Sequence, residues 1–399
     1  MTNILYYIPE LKQEFGGVRQ YAAGMLKVLA QLNNCTIYVL HDIDDDLILE
    51  IVQKNNNLVI VKTNDIKQYE RKILDNKLFK KFNRLLHFVF KVKLVSTLKI
   101  ESIIDLLITK FEINIIHCPY QFIPKTNKAK LVTTMHDVQE LHFPEFFSAS
   151  IREYRAVFYK NYIDRADAVV VSYDHIKNDI VKFFHKNPES MHTILLRMEN
   201  LWVTKFLSNN NFNKINNVEK YLLYPANAWK HKNHINLLKA ILLLKDKSQI
   251  HIHLKLTGDF ESELGISLKS FVANNHLGYH VSFEGVVKEE HLFELYKNAH
   301  GVVIPTLYEA GSFPLIESIL IGVPVVCSNV TSLPDTICNE IALFDPNDIE
   351  NLAFVLKRLW LDEDFRKMVT PNKIAKEKIL NTNSTLLMEK LYANLCNNS

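Results

Sequence analysis

Short apolar runs alternate along the chain with longer segments whose apolar residues recur at helical spacing. In the first half, the short runs predict β-strands at residues 4–8, 36–40, 58–61, 113–117, 131–135 and 168–172. The longer segments there predict helices at residues 17–31 and 152–165. This alternation is typical of βα units that build a parallel sheet.

The second half repeats this alternation after a polar interruption. It predicts strands at residues 221–224, 251–256, 281–284, 301–304 and 323–327, and helices at residues 234–244, 349–361 and 384–395. Residues 208–217 are polar and lack periodicity, so we interpret them as a linker. The predicted fold class is therefore α/β, with two doubly wound, Rossmann-like domains that face each other. Ligands of such sheets bind at the carboxyl ends of the strands, so we expect the functional cleft between the domains.

Composition narrows the function classes. With 399 residues, 48% of them apolar, the chain is long enough to fill two hydrophobic cores. The 47 basic and 44 acidic residues leave a formal net charge of +3, so nucleic acid is not an expected partner. The five cysteines are scattered, which favours neither a disulfide framework nor a zinc site. The N-terminus lacks signal-peptide features and no run reaches about 18 apolar residues, so we expect a cytoplasmic protein, soluble or peripheral on the inner face of the membrane.

Two glutamates lie around the predicted start of a helix in the second half. A buried strand ends at Pro305, Glu309 lies in the following loop, and a helix that starts near Phe313 contains Glu317. The unpaired N–H groups of a helix start favour an anion, and Gly311 lets the backbone approach a diphosphate closely. Carboxylates also suit the hydroxyl groups of a sugar. Taken alone, however, these residues favour a simpler interpretation, in which Glu317 only complements the helix dipole and Glu309 is a solvated loop residue.

The segment from Glu309 to Glu317 resembles the E-x7-E signature of retaining glycosyltransferases with the GT-B fold, the glycosyltransferase family 4-like or group 1 enzymes. The resemblance covers most of the second half, with islands in the first. Further similar segments are Gly258-Asp259 and residues 281–285, 295–299, 332–335 and 344–346. One departure concerns the loop, where the family more often reads Glu-Gly-Phe-Gly and this chain reads Glu309-Ala310-Gly311-Ser312.

The resemblance implies a role for each of these residues. Glu317 would hold the ribose hydroxyls and Glu309 the donor-sugar hydroxyls near the reacting carbon. Backbone groups of Gly311, Ser312 and Phe313 would contact phosphate or sugar. The pattern of elements predicts domains at residues 1–207 and 218–380, joined by the linker at 208–217. The family implies that a closing helix in 381–399 packs back on the first domain.

A basic turn follows the first strand of the second half. Its lysines, Lys230 and Lys232, suit a diphosphate whose charge must be stabilised as it departs. His231 and His234 are also compatible with metal binding, but no third ligand is evident and helix-start histidines are usually polar surface. The turn resembles the phosphate-binding turn of the family, with Lys232 at the position of its phosphate lysine. Many members have an arginine where this chain has Asn227, so we expect Asn227 or Lys230 to contact the donor.

The first half offers a histidine and a glycine turn. The strand at residues 131–135 ends in His136-Asp137, where a histidine can contact the donor sugar or can be a structural residue beside a helix-capping aspartate. The family commonly has His-Asp at this point, which favours function for His136. Gly16-Gly17 opens the first helix and resembles the glycine loop of the family, which implies that Gly17 approaches the diphosphate or the acceptor.

Basic residues crowd residues 71–99, where Asp75 is the only acid and apolar residues are interleaved. This composition is typical of a basic amphipathic helix on anionic lipid, but equally of a solvated helix whose apolar stripe packs on a core. In the first case, a lipid-linked glycan is the natural acceptor.

The sequence therefore predicts a retaining glycosyltransferase that needs no metal or other cofactor. It would move a hexosyl unit from a UDP- or GDP-sugar to a saccharide in the assembly of a surface polysaccharide. The leaving diphosphate would help to deprotonate the acceptor, so no dedicated base is predicted. Two alternatives stay open, namely a sugar-nucleotide epimerase of the same fold and an inactive scaffold that only binds nucleotide.

Overall fold

A computed structural model of the chain describes residues 2–11, 16–64, 94–196, 202–208 and 219–397. The chain divides into two compact units. The first unit contains Met1–His142, Phe147–Leu196 and Asn383–Ser399. The second unit contains Phe143–Phe146 and Arg197–Thr382.

A seven-stranded parallel sheet forms the centre of the first unit, with the order β3-β2-β1-β4-β5-β6-β7. Its strands are mostly buried, as expected for a parallel sheet covered on both faces. They are β1 (Thr2–Tyr7), β2 (Cys35–Leu40), β3 (Leu58–Val61), β4 (Ile115–Cys118), β5 (Lys130–Thr134), β6 (Ala168–Val171) and β7 (Met191–Thr193).

The helices of the first unit connect these strands, and the last helix of the chain joins them. They are α1 (Gly16–Leu29), α2 (Asp46–Gln53), α3 (Leu94–Phe111), α4 (Gln139–His142), α5 (Ala149–Arg165), α6 (Asp174–Phe184) and α16 (Ser384–Asn397). In α16, the Ser384 hydroxyl donates to Leu195 O at 3.1 Å, and the Tyr392 hydroxyl lies 2.6 Å from His117 Nδ1. The end of the chain thus packs within the first unit.

A six-stranded parallel sheet forms the centre of the second unit, with the order β10-β9-β8-β11-β12-β13. The strands are β8 (Leu222–Pro225), β9 (Leu254–Thr257), β10 (Val281–Gly285), β11 (Gly301–Ile304), β12 (Val325–Ser328) and β13 (Leu343–Phe344). The direction of strand addition reverses between the neighbours β8 and β11. Doubly wound sheets bind their ligands at such a switch point, at the carboxyl ends of the strands.

Nine helices of the described chain belong to the second unit, several of them capped at their N-termini by a side chain such as Ser262, Asp348 or Asp362. They are α7 (Trp202–Ser208), α8 (His234–Ser248), α9 (Glu263–Asn274), α10 (Glu289–Asn298), α11 (Phe313–Ile321), α12 (Leu333–Ile337), α13 (Ile349–Leu361), α14 (Glu363–Val369) and α15 (Lys373–Leu380). Gly322, at φ 85°, ends α11 in the left-handed region that favours glycine.

The structure differs from the sequence-based expectation at the edges of the sheets and at the domain boundary. The strands β7 and β13 were not predicted, because segments of three and two residues show no periodicity. The predicted boundary at residue 207 moves to Leu196, because α7 packs in the second unit through Trp202 and the buried Val203. The predicted linker, residues 208–217, lies almost entirely outside the described residues.

The basic segment at residues 71–99 cannot be compared with its prediction, because residues 71–93 lie outside the described residues. The last residues of this segment, 94–99, form the beginning of α3. Among the helices that the structure describes, none is both long enough and apolar enough to span a bilayer.

Candidate active site

The switch point of the second sheet places two chain segments side by side. One is the turn that leaves β8, residues 226–233, and the other is the loop that leaves β11, residues 305–312. The backbone N–H of Leu307 donates to His231 O at 2.7 Å, and the Thr306 hydroxyl donates to the same oxygen at 2.8 Å. The Asn233 side chain donates to Pro305 O at 2.9 Å. These bonds fix the two segments against each other, although they lie far apart in the sequence.

An ion pair joins the two segments. Lys232 Nζ lies 2.5 Å from Glu309 Oε1, and the two side chains are only 12% and 8% exposed. Burial raises the pKa of the Glu309 carboxyl, and the Lys232 ammonium offsets part of this rise. Glu309 is also held by its backbone, since its N–H donates to Thr331 Oγ1 at 3.1 Å and its carbonyl accepts from the Ser332 hydroxyl at 3.1 Å. The site thus holds one cation and one carboxylate in a fixed, largely desolvated position.

The loop from Glu309 leads directly into α11. Ser312 is its N-cap residue and Pro314 lies in its first turn, as the sequence predicts. The Ser312 hydroxyl caps no backbone N–H, and this buried oxygen has no hydrogen-bond partner within the described chain. The first N–H groups of α11, which begins at Phe313, therefore receive no capping hydrogen bond from the Ser312 side chain. An anion is the usual partner of such groups.

The remaining residues of the basic turn have different environments. Lys230 is exposed, whereas Asn227 is half-buried and its amide oxygen accepts from the Asp259 N–H at 2.8 Å. Gly258 makes this approach possible, because a Cβ there would lie 2.8 Å from the backbone of Ala226 and Asn227. Asn227 thus ties the β8 turn to the end of β9, a structural contact that the prediction of donor binding did not include.

The two histidines of this turn lie in largely buried surroundings. His234 is 2% exposed, its Nε2 lies 3.2 Å from Ala226 O, and its ring packs against Tyr224 and Phe260. Burial lowers the pKa of His231 and of His234 to about 3. Across the described ranges of the chain, no three His, Cys, Asp or Glu side chains come together as a metal ion would require.

In the first unit, His136 follows β5 and contacts two neighbouring elements. Its Nε2 lies 3.0 Å from Pro119 O, after β4, and its ring meets the Tyr21 ring of α1 edge to face at 4.6 Å. Burial lowers the pKa of His136. A carbonyl oxygen only accepts, so Nε2 carries the proton and the neutral ring keeps the lone pair on Nδ1. Gly17 lies in the first turn of α1, whose start also follows β1 at this edge of the sheet.

An arginine network supports the residues that follow His136. Arg155 Nη1 lies 3.1 Å from Asp137 Oδ1 and 2.6 Å from Glu140 Oε2, and its guanidinium lies 4.8 Å from the centre of the Phe147 ring. Asp137 also accepts weakly from the Gln139 N–H at 3.4 Å. Arg155 was not singled out from the sequence, because an arginine in a predicted helix carries no signal of its buried partners.

Most of the second unit matches a known protein family. Residues 207–376 match the family model described as glycosyl transferases group 1. Over these residues the chain is similar to the group 1 glycosyltransferases. This match contains both Lys232 and Glu309 and covers most of the second unit.

Two relatives of this glycosyltransferase are named as O-antigen chain mannosyltransferases. It is 26% identical over 271 residues to O-antigen chain mannosyltransferase B of Escherichia coli, a match that covers 66% of this chain and 70% of the relative. It is 22% identical over 226 residues to O-antigen chain mannosyltransferase RfbU of Salmonella typhimurium, covering 57% of this chain and 60% of the relative. The homology supports glycosyl transfer in polysaccharide assembly.

A solved structure confirms the fold of this glycosyltransferase. Anabaena Alr3699/HepE, crystallised in complex with UDP and glucose, superimposes with a TM-score of 0.64 at 14% identity, with 100% of both chains covered. At this identity the likeness shows the fold alone. The predicted GT-B-like class with two Rossmann-like domains is thereby confirmed.

Glu317, the second glutamate of the predicted signature, has contacts that the sequence did not reveal. Glu317 Oε1 accepts from Trp202 Nε1 at 2.8 Å, and Glu317 Oε2 accepts from the Tyr296 hydroxyl at 2.6 Å. Glu317 is 6% exposed, and burial raises the pKa of its carboxyl while the two hydrogen bonds lower it. The structure thus brings Lys232 and Glu309 together and gives Glu317 two aromatic partners of its own.

Proposed function

We propose that the chain is a retaining hexosyltransferase that uses a nucleotide-sugar donor, with its donor site at the switch point of the second sheet. The observation that carries the proposal is the buried pair of Lys232 and Glu309, with 2.5 Å between Nζ and Oε1, at the carboxyl ends of β8 and β11. A buried cation and a helix start without a side-chain cap both suit a diphosphate, and a carboxylate suits sugar hydroxyls. Both halves of a sugar diphosphate therefore find a partner at this position.

The reaction breaks the bond between the anomeric carbon and the diphosphate oxygen and forms a bond from that carbon to the acceptor oxygen. Lys232 and the first N–H groups of α11 stabilise the charge that develops on the diphosphate. Glu309 accepts hydrogen bonds from the donor sugar, and Glu317 accepts them from the ribose. The role proposed for the neutral His136 is to accept a hydrogen bond through the lone pair of Nδ1. The acceptor proton passes to a phosphate oxygen, so the chain needs no dedicated base.

Mannose is the first candidate for the transferred hexose. The names of the two O-antigen relatives support this choice, because both are mannosyltransferases. GDP-mannose is therefore the first donor to test, and UDP-glucose is the second because the Anabaena structure contains UDP and glucose. A growing saccharide of a surface polysaccharide is the proposed acceptor.

The test is to incubate the purified protein with GDP-mannose, UDP-glucose and UDP-N-acetylglucosamine, with and without a mannosylated acceptor, and to measure the released nucleoside diphosphate. We expect release from one donor, stimulated by acceptor and unchanged by EDTA, and a product with the anomeric configuration of the donor by NMR. An isomerised intact donor would indicate an epimerase instead. Binding without turnover would indicate a scaffold, and inverted product would contradict retention.

We further propose that the acceptor is linked to a lipid, on the strength of the basic and apolar residues at 71–99. Each lysine near an anionic surface contributes roughly 1 kcal/mol of attraction. The protein should therefore sediment with phosphatidylglycerol vesicles and much less with phosphatidylcholine vesicles. A variant with Lys80, Lys81, Lys91 and Lys93 changed to glutamine should lose this preference. Equal sedimentation of both proteins would contradict the proposal.

A further inference from the structure

We infer that Trp202 and Tyr296 are positioning residues, which hold the Glu317 carboxylate in the orientation that binds the ribose of the donor. This inference rests on the proposed function, which assigns the ribose to Glu317. The carboxylate accepts one hydrogen bond on each oxygen, from Trp202 Nε1 at 2.8 Å and from the Tyr296 hydroxyl at 2.6 Å. Because the two bonds engage both oxygens, they fix the rotation of the carboxylate as well as its position.

The carboxylate keeps enough acceptor capacity for a ligand. An ionised carboxylate offers about four lone-pair positions, and the two aromatic side chains use two of them. The two that remain match the two hydroxyls of a ribose, each of which donates one hydrogen bond. Glu317 is 6% exposed and takes part in no ion pair within the described part of the chain. Neutral donors therefore orient it without neutralising the charge that strengthens a bond to a hydroxyl.

The two donors are themselves rigid. Tyr296 is fully buried on α10, and Trp202 is 8% exposed on α7. The Trp202 ring meets the Phe206 ring at 5.8 Å, and Phe206 in turn stacks on Phe293 of α10 at 5.3 Å. The helix α7 thus packs on α10 through aromatic contacts that help to fix the indole, and it joins α11 through the hydrogen bond from Trp202 to Glu317. A rigid donor positions an acceptor more strongly than a solvated one, because little side-chain entropy is lost when the ligand binds.

The test compares Trp202→Phe and Tyr296→Phe, which delete one donor each and keep most of the ring. The probes are GDP and UDP, each with its 2′,3′-dideoxy analogue, and the measurement is the dissociation constant by calorimetry. We expect the wild type to bind one diphosphate and to bind its dideoxy analogue at least tenfold more weakly. In each variant the dissociation constant of the normal diphosphate should rise about tenfold, because one hydrogen bond to a charged group is lost.

The dideoxy analogue separates positioning from a general structural role. If the aromatic donors orient Glu317 toward the ribose, the ratio of dideoxy to normal dissociation constants should shrink in both variants. Trp360→Phe and Tyr221→Phe are matched controls, because these side chains are equally buried in the same unit and do not hydrogen-bond to Glu317. The controls should keep the wild-type ratio.

The outcomes distinguish failure of this inference from failure of the proposed function. If the wild type binds neither diphosphate, the proposed function fails. If the wild type binds and discriminates against the dideoxy analogue, but folded Trp202→Phe and Tyr296→Phe keep the same ratio, the donors have a structural role only and the inference is overturned. Thermal unfolding of each variant shows which ones are folded, and Tyr296→Phe removes a single oxygen atom.

Discussion

Replacing Lys232 with methionine should lower sugar transfer by about a hundredfold or more, which is the usual loss when one preorganised donor to a developing negative charge is removed. The same change should also destabilise the second unit by roughly 3 kcal/mol, since it leaves the Glu309 carboxylate buried without its cation. Transfer is measured as acceptor-dependent release of nucleoside diphosphate, and stability as the midpoint of urea unfolding. Both losses are expected together in the single variant.

The double variant Lys232→Met/Glu309→Gln separates the two effects. It removes both charges and keeps similar volumes, so the unfolding midpoint should return toward that of the wild type. Transfer should stay at or below the level of the single variant, because the diphosphate still has no cation and the donor sugar has lost the Glu309 carboxylate. Recovery of transfer in the double variant would show that the pair only stabilises the fold. Lys54→Met is the control, because its pair with Glu50 is exposed and should change neither quantity measurably.

The regular elements of the fold could be predicted from the sequence because their patterns are long or strongly apolar. The strand Gly301–Ile304 and the helix Ile349–Leu361 have the predicted bounds. The helix that starts at Phe313 was also predicted, from Pro314 in its first turn. The edge strands Met191–Thr193 and Leu343–Phe344 were not predicted. Such short segments show no periodicity of their own and are defined as strands only by pairing with the neighbouring strand.

The candidate site could be predicted only in part, because its contacts join residues that are distant in sequence. The resemblance to a family singled out both Lys232 and Glu309, but their ion pair spans 77 positions and becomes visible only in the sheet. The bond from Trp202 to Glu317 spans 115 positions. No sequence pattern near Trp202 indicates this bond, since a tryptophan in an apolar segment is usually interpreted as a hydrophobic core residue. The contacts of Arg155 with Asp137 and Glu140 could not be predicted from the sequence for the same reason.

Acidification should unfold the protein well above the pH at which ordinary carboxylates titrate. Burial lowers the pKa of His117, His231 and His234 to about 3 in the folded state, whereas an unfolded histidine titrates near 6.5. Between these values the unfolded chain binds protons that the folded chain cannot, so the free energy of unfolding falls as the pH falls below about 6.5. At pH 5 each of the three histidines should destabilise its unit by about 2 kcal/mol.

The carboxyls of Glu309 and Glu317 act in the opposite direction, because a raised folded pKa lets them take up protons before the unfolded chain does. We expect the three histidines to outweigh these two carboxyls. The urea concentration at the midpoint of unfolding should therefore fall steeply between pH 7.5 and pH 5. In His117→Gln, this decrease should be smaller for the first unit, because the buried ring that resists protonation is gone and the glutamine amide can hydrogen-bond the Tyr392 hydroxyl in its place. The exposed His291→Gln should keep the wild-type pH dependence. An unchanged slope in His117→Gln would show that the acid sensitivity has another origin.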